Sequence, residues 1–146
     1  MRTQRRVSFG LAAIDRLVSD RGGAVAVEFA FVIPIAILLT IGAVEVARAV
    51  SVQASITQAA KETVRFASVR GSASGAAQTE AQLETMAVQL AGLADASTSA
   101  AVTWDPDNSP GSLVTVDMQT TFSPVALPFG PSSYTFTSTA SMTIVR

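Results

Sequence analysis

Residues 24–44 read AVAVEFAFVIPIAILLTIGAV, a run of twenty-one residues in which Glu28 is the only charged side chain. As a helix rising 1.5 Å per residue, this run is about 32 Å long, which matches a bilayer core of about 30 Å. A buried helix of a soluble protein is the alternative, but such helices seldom stay apolar on all sides beyond roughly ten to fourteen residues. The run therefore predicts a transmembrane helix, which we place at residues 24–46. Pro34 lies inside it and cannot donate to the carbonyl of Ala30, so we expect a helix kink there.

Charge is distributed unevenly around this span. Residues 1–23 carry five arginines against Asp15 and Asp20, whereas acidic groups outnumber basic ones in the rest of the chain. Under the positive-inside bias, residues 1–23 form a basic cytoplasmic leader, and the chain beyond the span lies outside the cytoplasm. Apolar residues of the leader recur at helical spacing and predict a short amphipathic helix on the inner leaflet: Val7, Leu11, Ile14 and Val18.

A secretory signal peptide is the main alternative to a permanent anchor. Ala47-Arg48-Ala49 has the small-x-small form of a cleavage site after an apolar stretch. However, the uncharged run of residues 29–44 is longer than a usual signal core, and Glu45 and Arg48 stand close to the proposed cut. The anchor is therefore the favoured interpretation.

The chain after the span divides into an external helical stem at residues 47–98 and an external β region at residues 99–146. The stem should continue the membrane helix, with Glu62 and Arg65 as an i,i+3 pair. Its apolar residues fall at every fourth position: Val52, Ile56, Ala60 and Val64. Glycines at residues 71–75 break this helix, and a second helix follows over residues 76–94. The apolar face predicted for that second helix is made by Leu83, Met86 and Leu90.

Alternation of apolar residues with Thr, Ser and Gln predicts three half-buried strands in the β region. A turn at residues 105–112 should join the first two strands, and a proline-rich loop at residues 124–131 should precede the third. The inward residues of the third strand are predicted to be Tyr134, Phe136, Ala140, Met142 and Ile144. The predicted fold class is α+β: an N-terminal transmembrane helix continuing into an amphipathic stem helix, then a second helix and a small antiparallel sheet of about three strands.

The composition argues against catalytic and ligand-binding chemistry. The chain has no cysteine and no histidine, which removes disulfides, thiolate ligands and imidazole bases. Residues 105–109 resemble the start of a calcium loop, but Pro110 occupies the place of its glycine and Val116 that of its bidentate glutamate. An anchored hydrolase would need a nucleophile and a base, and no phosphate-cradling motif or basic patch with aromatics is present. We therefore expect no catalytic residue, metal, cofactor, small-molecule substrate or nucleic-acid partner.

A glycine pair and a glutamate frame the start of the span. Arg21-Gly22-Gly23 is followed by four residues and then by Glu28-Phe29. This pattern resembles type IV pilin-like precursors of the tight-adherence (Tad, or Flp) branch, in which prepilin peptidase cuts after a glycine followed by four residues, a glutamate and an aromatic. The resemblance implies processing between Gly23 and Ala24, with Glu28 and Phe29 as part of the recognised motif.

Over about residues 21–146, the chain is similar to the TadE-like family. The span and the stretch AAKETVRFA at residues 59–67 carry this resemblance, although Lys61 replaces the family's usual arginine and Thr63-Val64 its usual Gly-Ala. The resemblance implies a pilin-like minor pseudopilin of the bacterial inner membrane that acts in Tad/Flp-type pilus assembly and adhesion. Its implied partners are the lipid bilayer, prepilin peptidase, other pilin-like subunits and the Tad secretion machinery. The alternative is an uncut anchor that tethers an external binding domain unrelated to pili.

Glu28 is costly inside the predicted span, because an ionised side chain at mid-helix in lipid costs at least roughly 2.5–3.5 kcal/mol. A cut after Gly23 would create a cationic α-amine on Ala24, and an ion pair at 4 Å contributes about 4 kcal/mol at an effective dielectric near 20. Pairing of Glu28 with this amine, or with the amine of a neighbouring subunit, would offset the burial and favour assembly. In the other interpretation, Glu28 lies near the membrane interface and reaches water.

Overall fold

The computed structural model of the protein describes residues 21–93, 97–125 and 132–146. In chain order its elements are helix α1 (Arg21–Ser68), a single 3-10 turn (Ser72–Ser74), helix α2 (Glu80–Ala91) and strands β1 (Ser99–Asp105), β2 (Leu113–Phe122) and β3 (Tyr134–Thr143). The predicted α+β class is confirmed, with the long apolar helix, the second helix and the three-stranded antiparallel sheet all present. The leader helix predicted near residues 7–18 lies outside the described residues, as does most of the loop predicted at residues 124–131.

Contacts divide the chain into two compact units, which meet in the sequence between Gly42 and Ala43. In the first unit, α1 carries the apolar run, and its side chains are exposed: Phe31 and Leu39, for example, are 73% and 70% exposed. Helix α1 is long and apolar enough to cross a membrane, and none of its apolar window is buried. Such exposure does not fit the core helix of a soluble protein, and α1 fits a single-pass membrane anchor.

In the second unit, α1 becomes amphipathic and packs its apolar stripe into the core. Ile56, Ala60 and Val64 are buried as the four-residue spacing predicts, while Val52 is half-buried. The stripe is widened by small side chains that allow close packing: Ala59, Thr63 and Ala67. The amphipathic stem that was predicted from periodicity is therefore present.

The ion pair predicted between Glu62 and Arg65 is wrong. Both side chains are exposed, and the ion pair found among the described residues joins Glu45 to Arg48 instead. A fully exposed i,i+3 pair gains little Coulomb energy in water and loses side-chain entropy, so its spacing alone does not hold it together.

The end of α1 is fixed by a close approach at Gly71. A Cβ atom there would overlap the carbonyl oxygen of Arg146 and would lie 2.6 Å from Cγ2 of Ile144. Next to it, the Val145 N–H donates to the Ser68 carbonyl at 2.7 Å. The segment after β3 thus returns to the C-terminal end of α1, and only a residue without a side chain fits between them.

Helix α2 has strong signals at both ends. Thr79 caps its N-terminus in a capping box, in which the Gln82 N–H donates to Thr79 Oγ1 at 3.3 Å and the Thr79 N–H donates to Gln82 Oε1 at 3.0 Å. Gly92, with φ of 62°, ends the helix in the left-handed conformation that glycine adopts without strain. These caps make α2 shorter than the predicted residues 76–94.

The buried face of α2 differs in part from the predicted one. Leu83 is fully buried as expected, but Leu90 is 41% exposed. The face is completed by Ala87 and Ala91, which lie one and two turns after Leu83. Because α2 packs against β1, these small residues allow the closer approach.

The sheet is a simple meander in the order β1-β2-β3, with both pairs antiparallel. Val116 lies at its centre, opposite Val102 on one side and Ala140 on the other. The sheet contributes the following buried residues to the shared core: Val102, Val114, Val116 and Met118, with Ile144 just beyond β3. Tyr134 and Met142 were predicted to point inward but are each 40% exposed; both β1 and β3 are edge strands, and α2 packs against β1.

The turn between β1 and β2, predicted at residues 105–112, is built around Asp107. Its Oδ1 accepts hydrogen bonds from the Ser109 N–H and the Ser112 hydroxyl, both at 2.9 Å. The side-chain hydrogen bonds of Ser109 and Ser112 stabilise the ionised form and hold the pKa of Asp107 below its ordinary value. Asp107 is therefore a turn-forming residue.

Candidate processing and assembly site

The four residues of the predicted processing motif lie in the first turns of α1. Gly23, Ala24, Glu28 and Phe29 are all helical and exposed. A Cβ atom added at Gly23 would meet no atom within 4 Å, so packing does not explain a glycine there. The motif is thus not packed against other described residues, and whether a peptidase cuts it stays a prediction.

The start of α1 is poorly stabilised as a helix. It contains two adjacent glycines and no acidic residue in its first turn. Each glycine in a helix costs about 1 kcal/mol relative to alanine. The glycine pair therefore makes this part of α1 less stable as a helix than the alanine- and valine-rich residues that follow.

Glu28 lies four residues after Ala24, so the two residues share one face of α1 about 6 Å apart along its axis. The N-terminal end of a helix carries partial positive charge, which favours a carboxylate nearby. A new α-amine on Ala24 would add a full positive charge on the same face. The geometry is compatible with the predicted charge pairing, which stays a prediction.

Pro34 lies inside α1, which continues beyond it. The kink that we expect there stays a prediction. Another polar group of the apolar segment is satisfied within the helix, because the Thr40 hydroxyl donates to the Ala36 carbonyl at 2.8 Å. Such internal bonding lowers the cost of placing a hydroxyl in lipid.

A second constellation, which the sequence did not reveal, surrounds Glu45. This carboxylate is only 5% exposed. Its Oε2 accepts from Arg48 Nη1 at 2.9 Å, and its Oε1 accepts from the Val125 N–H at 3.2 Å. The guanidinium carbon of Arg48 lies 5.5 Å from the ring centroid of Phe122. Together these contacts hold the segment after β2 against the beginning of the stem.

A cavity of about 240 Å³ lies beside Glu45. Phe122 and Phe136 form part of its wall, with ring centroids 5.8 Å apart and planes at 24°. The remaining lining residues are Val46, Ala49, Pro124 and Tyr134. Apart from the Glu45 carboxylate, the wall is mainly apolar.

Only half of this constellation could be found from local sequence spacing. Glu45 and Arg48 have the i,i+3 spacing of an ion pair directly after the apolar run. Val125, however, is 80 residues away from Glu45, and no local pattern pairs them. Among the described residues, no cluster of acidic side chains has the geometry of a metal site.

Comparison with known proteins gives one result that bears on this region. No curated protein and no solved structure matches the chain. The family model described as TadE-like protein matches residues 23–65, which include the processing motif, the apolar run and most of the stem. The resemblance inferred from the sequence is thereby confirmed over these residues, and residues 23–65 of the chain form a TadE-like region.

Proposed function

We propose that this chain is a membrane-anchored, pilin-like minor pseudopilin that acts without catalysis in the assembly of a Tad/Flp-type pilus and in adhesion. The observation that carries the proposal is the TadE-like match over residues 23–65, because the family suggests a protein related to the Tad pilus. In this proposal, residues 24–46 cross the bacterial inner membrane once, the basic leader stays in the cytoplasm, and the stem and β regions lie outside it.

The structure supports an anchor in two ways. The side chains of the apolar run are exposed, as lipid-facing side chains are. The possible signal-peptide site at residues 47–49 lies within the continuous helix α1, next to Glu45 and its bond to Val125. A cut there would remove Glu45 from the external fold, so its buried position favours an uncut stem.

The orientation can be tested with reporter fusions to the C-terminus of the full chain. Alkaline phosphatase fused there should be active, and a reporter that works only in the cytoplasm should be silent. An inactive phosphatase beside an active cytoplasmic reporter would refute the N-inside topology.

Processing can be tested by mass spectrometry of the N-terminus from cells that contain prepilin peptidase. The wild-type chain should begin at Ala24, and Gly23→Leu should remain uncut because the bulky side chain blocks the approach of the backbone to the protease. Gly42→Leu is the matched control: it lies in the same helix with equally open space around it, and it should be cut normally. A chain that begins at Met1 would favour the uncut anchor with an external binding domain, and one that begins at Val50 would favour a signal peptide.

The role of Glu28 in assembly can be tested by co-purification with pilin-like subunits. Glu28→Gln preserves the shape and removes the charge, so membrane insertion should be kept or improved while association with the other subunits falls. Glu62→Gln removes an exposed charge of the stem and serves as control. Unchanged association of Glu28→Gln with the other subunits would instead favour the interpretation in which Glu28 lies near the membrane interface and reaches water.

A further inference from the structure

An exposed apolar surface lies around the cavity beside Glu45. Val125 is 80% exposed, Val46 is 64% exposed and Tyr134 is 40% exposed. We call these three residues the membrane-side patch. Isolated exposed valines are common on soluble proteins, but here Val46 and Tyr134 line the cavity whose wall includes two stacked phenylalanines, and Val125 directly follows its lining residue Pro124. The three residues therefore lie close to one apolar cavity.

The position of this patch along the chain favours lipid as the partner that covers it. Val46 is the last residue of the predicted span, and the helix keeps exposed valines on both sides of it: Val44 is 55% exposed and Val50 is 63% exposed. The hydrogen bond from the Val125 N–H to Glu45 holds the segment after β2 at this level of the helix. The patch thus lies at the level of the helix where the predicted span ends.

The charged and polar side chains near Val46 suit the boundary of a bilayer. The Glu45 carboxylate would be costly near hydrocarbon, and it is shielded by Arg48 and by the Val125 N–H. The Arg48 side chain is 47% exposed, so its guanidinium can also reach lipid phosphates. Tyr134 has the apolar ring and polar tip that are typical of residues at membrane interfaces.

We propose that the membrane-side patch rests in the interfacial layer of the outer leaflet, with Val125 and Tyr134 at the boundary between acyl chains and headgroups and Arg48 in contact with lipid phosphates. This inference depends on the proposed single-span anchor. A second copy of the chain is a less suitable occupant, because three side chains provide far less than the roughly 800 Å² per partner of a stable protein interface.

The absence of native cysteine makes a site-specific test possible. Three single-cysteine variants of the full chain, Val125→Cys, Ala101→Cys and Leu38→Cys, are labelled with an environment-sensitive fluorophore. Each is placed, one copy per nanodisc, in phosphatidylethanolamine and phosphatidylglycerol with brominated acyl chains. Ala101 is an exposed residue of β1 and reports on water, whereas Leu38 reports on the span itself.

The label at Val125 should emit at shorter wavelength and lose fluorescence to the brominated lipid, as the label at Leu38 does, while the label at Ala101 should be unaffected. Quenching at Leu38 without quenching at Val125 would overturn the inference and leave the anchor intact. An unquenched label at Leu38 would overturn both. Shielding of Val125 that develops only when several copies share one nanodisc would assign the patch to a protein contact and would also overturn the inference.

Discussion

Removing Arg48 from the Glu45–Arg48 ion pair should destabilise the fold more than removing the charge of Glu45. The Glu45 side chain is 6% exposed and that of Arg48 is 47% exposed. Arg48→Ala leaves a buried carboxylate without its cation. Glu45→Gln leaves an arginine that can turn to water, and the amide oxygen of the glutamine can still accept from the Val125 N–H. We therefore expect the arginine substitution to be the more damaging one.

The magnitude follows from the partial burial of the pair. Exposed pairs contribute roughly 0.2–1 kcal/mol, whereas removing one partner of a fully buried pair costs roughly 3–5 kcal/mol. We expect Arg48→Ala to lower the free energy of unfolding by about 2 kcal/mol, since part of the pair remains solvated, and Glu45→Gln by less than about 1 kcal/mol. Adding Glu45→Gln to Arg48→Ala should restore stability, because the unpaired charge is then gone.

Urea unfolding of the full chain in detergent micelles measures these differences. Trp104 is the only tryptophan and packs against the core, so its fluorescence follows the external fold. A loss of 2 kcal/mol should lower the urea midpoint by about 1 M. The reasoning is refuted if Glu45→Gln costs as much as Arg48→Ala, or if the double variant is less stable than Arg48→Ala alone.

Three further changes probe the external fold by the same unfolding measurement. Gly71→Ala should lower the free energy of unfolding by about 1–3 kcal/mol, because its Cβ would overlap the returning C-terminal segment. An unchanged urea midpoint would mean that this segment can move aside without loss of stability. Leu83→Ala should cost about 2–5 kcal/mol, and Leu90→Ala much less, since Leu83 is fully buried and Leu90 is 41% exposed; equal losses would contradict the packing of α2. Asp107 has a lowered pKa in the folded state, so it stabilises the fold fully above about pH 4, and this stabilisation is lost as the pH falls through the lower pKa. Asp107→Asn should therefore reduce the loss of unfolding free energy in acid. An unchanged dependence of the unfolding free energy on pH would contradict this.

Periodic patterns predicted the elements of this fold well. The apolar run together with the four-residue spacing of Ile56, Ala60 and Val64 indicated a helix that continues from the span into the stem. Alternation indicated three strands, and the structure places them in a single antiparallel meander. These predictions succeeded because one buried face per element is a local property of the sequence.

Predictions that depended on which neighbour covers a residue were less successful. Leu90 has the spacing of a core residue but is largely exposed, because α2 approaches β1 through its alanines. Glu62 and Arg65 have the spacing of an ion pair that is not formed, whereas Glu45 is held by Arg48 and by a backbone N–H 80 residues away. Such contacts are set by tertiary packing and cannot be read from spacing alone.

The hydrogen bond from the Val145 N–H to the Ser68 carbonyl has a consequence for the order in which the chain folds during export. In the proposed N-inside topology the stem leaves the membrane first, but its end is hydrogen-bonded to a residue that follows the last strand. The bond between Ser68 and Val145 would then form only after β3 has emerged, because Val145 follows that strand in the chain. In that topology the external fold would be completed only after residue 145 has crossed the membrane, and until then its unfinished core would be open to chaperones outside the cytoplasm.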